Sequence, residues 1–298
     1  MRLVTFTHNG ADKIGALNVE TNTITDFTTA DSSLPSTMQA LIERGRDGLD
    51  QAQAAIDGAG EEARLNAADV VLKAPIPDPR RDVMAVGRNY HEHAQEFHDS
   101  GFDATAGTAA VPDDPIIFTK ATTSVSGPFD PIPAYLDPTN STDYEGELAV
   151  IIGTEGRGIS KADAFDHVYG YTTSNDVTAR TLQHQHKQWF IGKGLDGYCP
   201  MGPVLLTSDE AGHPDTFHLK TEVNGELRQD SSCSALIFDI PTLIETISTG
   251  ITLLPGDIIV TGTPVGVGIG FKPPVFLQKG DIVRVDISPI GAIENVVA

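Results

Sequence analysis

The chain reads as an α+β protein dominated by strands, and three observations carry that reading. Short apolar stretches recur between turn signals such as Asn9-Gly10 and Asn224-Gly225. Helical periodicity is confined to a few segments and never settles into the repeating βα pattern of a Rossmann fold or TIM barrel. A proline-rich connector, Ala74-Pro-Ile-Pro-Asp-Pro79, separates a small unit, residues 1–74, from a longer one, residues 75–298.

In order along the chain, residues 2–7, 14–19 and 23–28 have strand patterns. A helix follows, with capping-box spacing between Ser36 and Gln39 and one apolar face traced by Met38, Leu41, Ile42, Leu49, Ala52 and Ile56. It should fade near Gly58 to Gly60. Beyond the connector a helix starts near Asn89. The segment 97–114 is rich in small residues and aperiodic, which suits a lid or a disordered loop. Residues 144–152 and 168–171 read as strands. Gly192 to Pro203 is too rich in Gly and Pro for a regular element. A hairpin spans 219–227, a short helix runs from Pro241 to Ser248 with Gly250 just past its end, and strands follow at 257–261, 281–287 and 292–297.

Composition narrows the function. The 298 residues are 40% hydrophobic and 20% charged, as in an ordinary soluble globular protein. Apolar runs such as Leu148 to Ile152 are far too short to cross a membrane, and the N-terminus lacks the apolar core of a signal peptide. Two cysteines, Cys199 and Cys233, give neither a disulfide framework nor a thiolate metal cluster, which makes a cytoplasmic location the expectation. Acids outnumber bases by 41 to 20, a net charge of −21 spread along the chain, so nucleic acids and anionic membranes should be repelled.

Chemistry concentrates in five segments. In Tyr144-Glu-Gly-Glu-Leu-Ala-Val-Ile-Ile152, a strand entering a core, Glu145 and Glu147 share a face about 7 Å apart at Cα. Carboxylates there repel unless protonated or bridged by a cation; an exposed acidic strand end is the plainer alternative. In Asn175-Asp-Val-Thr-Ala-Arg-Thr-Leu-Gln183, Asp176 either caps a helix beginning at Val177 or supplies a third carboxylate. Three carboxylates suit a hard cation, Mg²⁺ or Mn²⁺. On such a helix Arg180 and Gln183 share the Asp176 face, a cation and an amide placed to hold an anion.

In Val86-Gly-Arg-Asn-Tyr-His-Glu-His-Ala-Gln-Glu96, His93 and Glu96 lie at i, i+3. A carboxylate beside an imidazole fixes its tautomer and raises its basicity, as a general base requires, although such a pair also decorates ordinary helix surfaces. Lys193, in the loop-like Gly192-Lys-Gly-Leu-Asp-Gly, is an ammonium useful against a developing oxyanion, or a plain surface lysine. Thr261-Gly-Thr-Pro-Val-Gly-Val-Gly-Ile-Gly270 has glycines spaced somewhat like a dinucleotide loop, but Lys272-Pro-Pro274 stands where the helix would begin. A tight loop bringing backbone N–H groups and Thr263 to a ligand fits better. His184 and His186 have ligand-like spacing but read as a solvated helix end.

Taken in this order, the runs VGRNYHEHAQE, DYEGELAVIIG, NDVTARTLQ, GKGLDGYCPMGP and TGTPVGVG resemble the fumarylacetoacetate hydrolase (FAH) family over roughly residues 75–298. The resemblance implies a mixed, barrel-like β-roll preceded by a small N-terminal α+β domain, and a homodimer. It also implies Mg²⁺ or Mn²⁺ at Glu145, Glu147 and Asp176, a His93–Glu96 dyad on a lid helix, and substrate contacts from Arg180, Gln183, Lys193 and Thr263. The local position of Glu96 matches the smaller bacterial branch acting on 2-oxo acids. The leading expectation is hydrolysis of a C–C bond in an acylpyruvate-like 2,4-dioxo acid. His93 would activate water, Lys193 and Gln183 would steady the oxyanion, and the metal would stabilise the departing enolate. Oxaloacetate-type decarboxylation, or isomerisation of a 2-hydroxy-dienoate or keto–enol pair, uses the same enolate without water attack. A non-catalytic module binding a small acid through the metal is the third reading.

Overall fold

A computed structural model describes residues 1–103 and 109–298. The α+β, strand-dominated class is what it shows. The N-terminal strands β1 (Arg2–His8), β2 (Ala11–Asn18) and β3 (Thr23–Asp26) form an antiparallel meander, with Asn9 and Gly10 at positive φ in the first turn. The expected helix is divided. Helix α1 (Met38–Glu43) ends at Arg44, Gly45 takes φ +54°, and α2 (Gly45–Gly58) starts afresh. The apolar face holds, with Met38, Leu41, Ile42, Leu49 and Ala52 buried. The expected capping box does not form. Thr37, one residue later than Ser36, accepts from the Ala40 N–H, and Gln39 reaches across to Pro255 O.

Beyond the connector come β4 (Val83–Gly87), helix α3 (His91–Asp99), β5 (Ile116–Lys120), β6 (Gly146–Ile152) and β7 (Val168–Asn175). Helices α4 (Arg180–His186) and α5 (Phe190–Lys193) precede β8 (Cys199–Thr207), so part of the Gly/Pro-rich run is strand after all. It is tolerated because Met201 and Gly202 pair with Ser174 and Thr173 of β7. The hairpin β9 (His218–Val223) and β10 (Glu226–Ser232) turns at Asn224-Gly225, both at positive φ. Helix α6 (Ile240–Ser248), capped by Asp239, and strands β11 (Ile258–Val260), β12 (Ile282–Ser288) and β13 (Gly291–Val296) complete the chain.

The main sheet runs β3-β2-β1-β8-β7-β6-β11-β4-β5, with Arg64–Asn66 beyond β3, and its path is open. Because β1 pairs with β8 through Arg2↔Leu206 and Leu3↔Leu205, residues 1–74 form one end of this sheet. Both faces are covered. Leu148, Val150 and Ile152 of β6 join one apolar cluster while Ala149 and Ile151 join the other. A second sheet, β10-β9-β12-β13, packs beside the start of β6. Gly146 marks that contact: a Cβ there would lie 3.0 Å from Val285 Cγ1. Among the described residues no helix is long and apolar enough to cross a membrane.

Candidate metal centre and its cavity

The polar residues gather where β6 and β7 meet the second sheet. Glu145 precedes β6, its N–H donating to Asn175 Oδ1 and its carbonyl accepting from Asp176 N, so β6 and the end of β7 are locked in register at the site. Glu145, Glu147 and Asp176 are all buried, and each offers an oxygen within 4.8 Å of the others. Asp176 is not a helix cap. Thr178–Ala179 first pairs with Thr142–Asp143, and the helix begins only at Arg180. That pairing takes Arg180 and Gln183 off any helix shared with Asp176, yet both line a cavity with Glu145 and Glu147.

Cations lattice the cluster. Lys193 Nζ donates to Glu145 Oε2 and Asp176 Oδ2, each at 2.7 Å. Arg180 Nη1 lies 2.6 Å from Glu145 Oε1, and its Nε donates to Asp143 Oδ2 at 2.9 Å. Lys120 Nζ sits 2.6 Å from Asp176 Oδ1 and donates to the Val177 and Lys193 carbonyls. Glu147 has no cation against it among the described residues; its Oε2 accepts from Gly262 N at 2.7 Å.

The two glutamates therefore diverge. Burial pushes Glu145 up, but Lys193 and Arg180 outweigh it and hold the carboxyl at about 2. Burial and the neighbouring Asp176 and Glu145 charges push Glu147 well above the carboxylate range. Burial would lower Lys193, but Asp176 and Glu145 keep it raised and charged. Four buried carboxylates (Asp143, Glu145, Glu147, Asp176) thus meet three buried cations (Lys120, Arg180, Lys193). The carboxyl left without a cation is Glu147, whose proton a bound cation would replace. An all-oxygen donor set with one carboxyl not paired to a cation fits a hard divalent cation.

Opposite stands α3. His93 Nδ1 is 3.0 Å from Glu96 Oε2, and Glu96 Oε1 accepts from Gly266 N at 3.1 Å, so the imidazole is aimed by a carboxylate that is itself held. Asn89, wholly buried just before the helix, donates to Thr261 O and Phe238 O and fixes its start. The glycine-rich loop plays an unexpected part. Its N–H groups go to protein carboxylates: Gly262 to Glu147, Gly266 to Glu96, and Gly268 and Ile269 to Asp143. Thr263 lines the cavity, but its hydroxyl already donates to Gly146 O and accepts from Gln229 Nε2.

The cavity is tight, with about 10 Å³ open to a water-sized molecule. Its polar lining is His93, Glu145, Glu147, Gln183 and Lys193, and its apolar lining includes Phe97, Phe118 and Trp189. His184 and His186 stay exposed at the end of α4, as expected of a solvated helix end. Of segment 97–114, Asp103 pairs with Arg88, which lines the cavity, while residues 104–108 lie outside the described residues. Sequence reading missed Asp143, Lys120, Arg88 and Trp189. Asp143 had a signal, since the acidic alternation of 145 and 147 extends back to it. Lys120 had none: its partner is 56 residues away.

The sequence model of the fumarylacetoacetate (FAA) hydrolase C-terminal family matches residues 82–298. An oxaloacetate tautomerase, YisK of Bacillus subtilis (strain 168), is 51% identical over 227 residues, 76% of this chain and 73% of that protein. Among solved structures, a fumarylacetoacetate hydrolase from psychrophilic Exiguobacterium antarcticum superposes with a TM-score of 0.85 at 42% identity, covering 100% of this chain and 99% of that one. Maleylpyruvate hydrolase from Sphingobium sp. SYK-6, solved with manganese(II) and pyruvate, gives 0.79 at 32% identity, with 100% and 99% covered.

Proposed function

The chain belongs to the fumarylacetoacetate hydrolase family, and on that premise we propose that it is a divalent-metal enzyme moving a proton on a small 2-oxo acid, foremost the keto–enol conversion of a compact 2-oxo dicarboxylate such as oxaloacetate. The observation that carries the reading is the His93–Glu96 dyad facing the carboxylate cluster across a tight cavity. Glu145, Glu147 and Asp176 would hold Mg²⁺ or Mn²⁺, which when bound supplies Lewis-acid polarisation of the 2-oxo group. His93 takes the proton from the carbon next to that group and returns it to oxygen or carbon, and Glu96 keeps one imidazole tautomer in place. Gln183 Oε1 accepts from Arg180, which leaves the amide nitrogen as the donor toward an anionic substrate. Lys193 and Arg180 hold Glu145 ionised, and Phe97, Phe118 and Trp189 give the cavity an apolar wall.

C–C hydrolysis of a 2,4-dioxo acid is the second reading, favoured by the likeness to maleylpyruvate hydrolase. It places the same dyad against a water molecule. One panel separates the two: the enol absorbance of oxaloacetate, pyruvate release from 2,4-dioxo acids and CO₂ release, each with Mg²⁺, Mn²⁺ or EDTA. Accelerated decay of the enol without pyruvate or CO₂ supports tautomerisation. Metal-dependent pyruvate release from dioxo acids alone overturns it in favour of hydrolysis. Assembly as a homodimer is part of the proposal, checked by light scattering.

A further inference from the structure

The aromatic side of the cavity does something that the proton transfer itself does not require. Trp189 is the only tryptophan in the chain. Its ring meets Phe97 of α3 edge-on, with centroids 5.8 Å apart, and Phe118 of β5, at 5.1 Å. It also fills the space that a side chain at position 87 would take: the three atoms nearest to a Cβ on Gly87 all belong to the Trp189 ring, Cζ3 first and Cη2 next at 2.6 Å. The backbone is tied to the polar side as well. Trp189 O accepts from Gly192 N and Lys193 N, at 2.9 and 3.0 Å, beginning the turn that delivers Lys193 to Glu145 and Asp176. The indole is half-buried, and the next residues, Phe190 and Ile191, are exposed.

We infer that Trp189 is the specificity-determining residue of this cavity: its indole closes the apolar side and restricts bound acids to those with a small group beyond the 2-oxo head. The inference rests on the reading of the site as a 2-oxo-acid site. The held carboxylates and cations leave little freedom on the polar side, so a longer substrate has to find its room among Phe97, Phe118 and Trp189. Of the three, Phe97 sits in α3 and Phe118 in β5, while Trp189 rests on Gly87 from the short turn before α5. Hydrophobic pockets discriminate by roughly 10- to 200-fold per methylene-sized change, so removal of an indole has a readable effect.

The test measures binding, which does not depend on which reaction is catalysed. Pyruvate and phenylpyruvate are titrated by calorimetry into the full chain in Mn²⁺ buffer, for the wild type, W189F and W189A. The ratio of the phenylpyruvate Kd to the pyruvate Kd is expected to fall at least tenfold in W189A and by an intermediate amount in W189F. G87A, which crowds the indole, should weaken pyruvate binding, and G87A/W189A should recover it. Pyruvate should also change the emission of the single tryptophan in the wild type. An unchanged Kd ratio in a variant that still binds pyruvate overturns the inference and leaves the site reading standing. So does emission that ignores bound pyruvate. If W189A does not fold, W189F and G87A decide by the same ratio. A wild type that binds neither acid overturns the site reading, and the inference with it.

Discussion

The two sides of the cavity are built on opposite principles. The carboxylate side grows from the ends of β6 and β7 deep in the main sheet, and Glu145, Asp176, Arg180 and Lys120 all hold multiple polar partners with essentially no exposure. The aromatic side takes Phe97 from α3, Phe118 from the edge strand β5 and Trp189 from the turn before α5, packed ring against ring, with Trp189 half-buried. Buried charges are costly to misplace, whereas ring contacts shift at modest cost. On the proposed function, the contrast assigns the choice of head group to the first side and the range of substrates to the second.

The sharpest way to break this comparison is Asp176→Ala. It leaves Lys120 and Lys193 buried without their shared carboxylate, and the expected loss is about 3–5 kcal/mol of stability together with Mn²⁺ binding. Denaturant unfolding and calorimetry measure both, and a variant as stable as the wild type would show that the polar side is not preorganised. His93→Ala should instead spare the fold and Mn²⁺ affinity while lowering turnover by about 10²–10⁴. Near-normal turnover of the accepted acid removes His93 from the mechanism.

Glu147 sets the pH response. Glu145, held at about 2, stays ionised through the working range and contributes nothing to it. Glu147 is raised by burial and by the Asp176 and Glu145 charges, so without a cation it keeps its proton to higher pH. A bound cation has to displace that proton. Mn²⁺ affinity should therefore rise with pH, by up to about tenfold per unit while one proton is released, and level off above the raised pKa. Glu147→Gln should flatten the dependence; a wild-type affinity independent of pH between 5 and 8 contradicts the assignment. The smallest effect is predicted at the rim. Ser100→Ala loses bonds to Phe97 O and Phe102 N, and should cost about 0.5–1.5 kcal/mol by thermal unfolding with Mn²⁺ affinity unchanged.

What could be read in the sequence follows the range of the interactions. The Glu145/Glu147 pair was legible because a two-residue acidic alternation runs into an apolar strand, and the His93/Glu96 pair because a helix places i and i+3 together. The class of the fold was legible from turn chemistry, as at Asn224-Gly225. The division of the first helix turned on one left-handed glycine, Gly45, whose neighbours are all helix-compatible. The helix expected at Val177 lost to a two-residue strand pairing with Thr142–Asp143, a contact 35 residues away in sequence by the Asp143↔Thr178 register. Lys120 and Trp189 were illegible for the same reason: a lysine ending an apolar strand, or a tryptophan in a polar stretch, carries no mark of the distant group it meets.

The glycine-rich loop has a consequence for tolerance. Its N–H groups hold Glu147 on one side of the cavity and Glu96, the support of His93, on the other, and Gly262 and Gly266 sit at φ +106° and +110°. The cation ligand and the base are thus surveyed from one benchmark. A change that displaces the loop therefore disturbs both supports at once, and the two errors at the reacting centre share one origin.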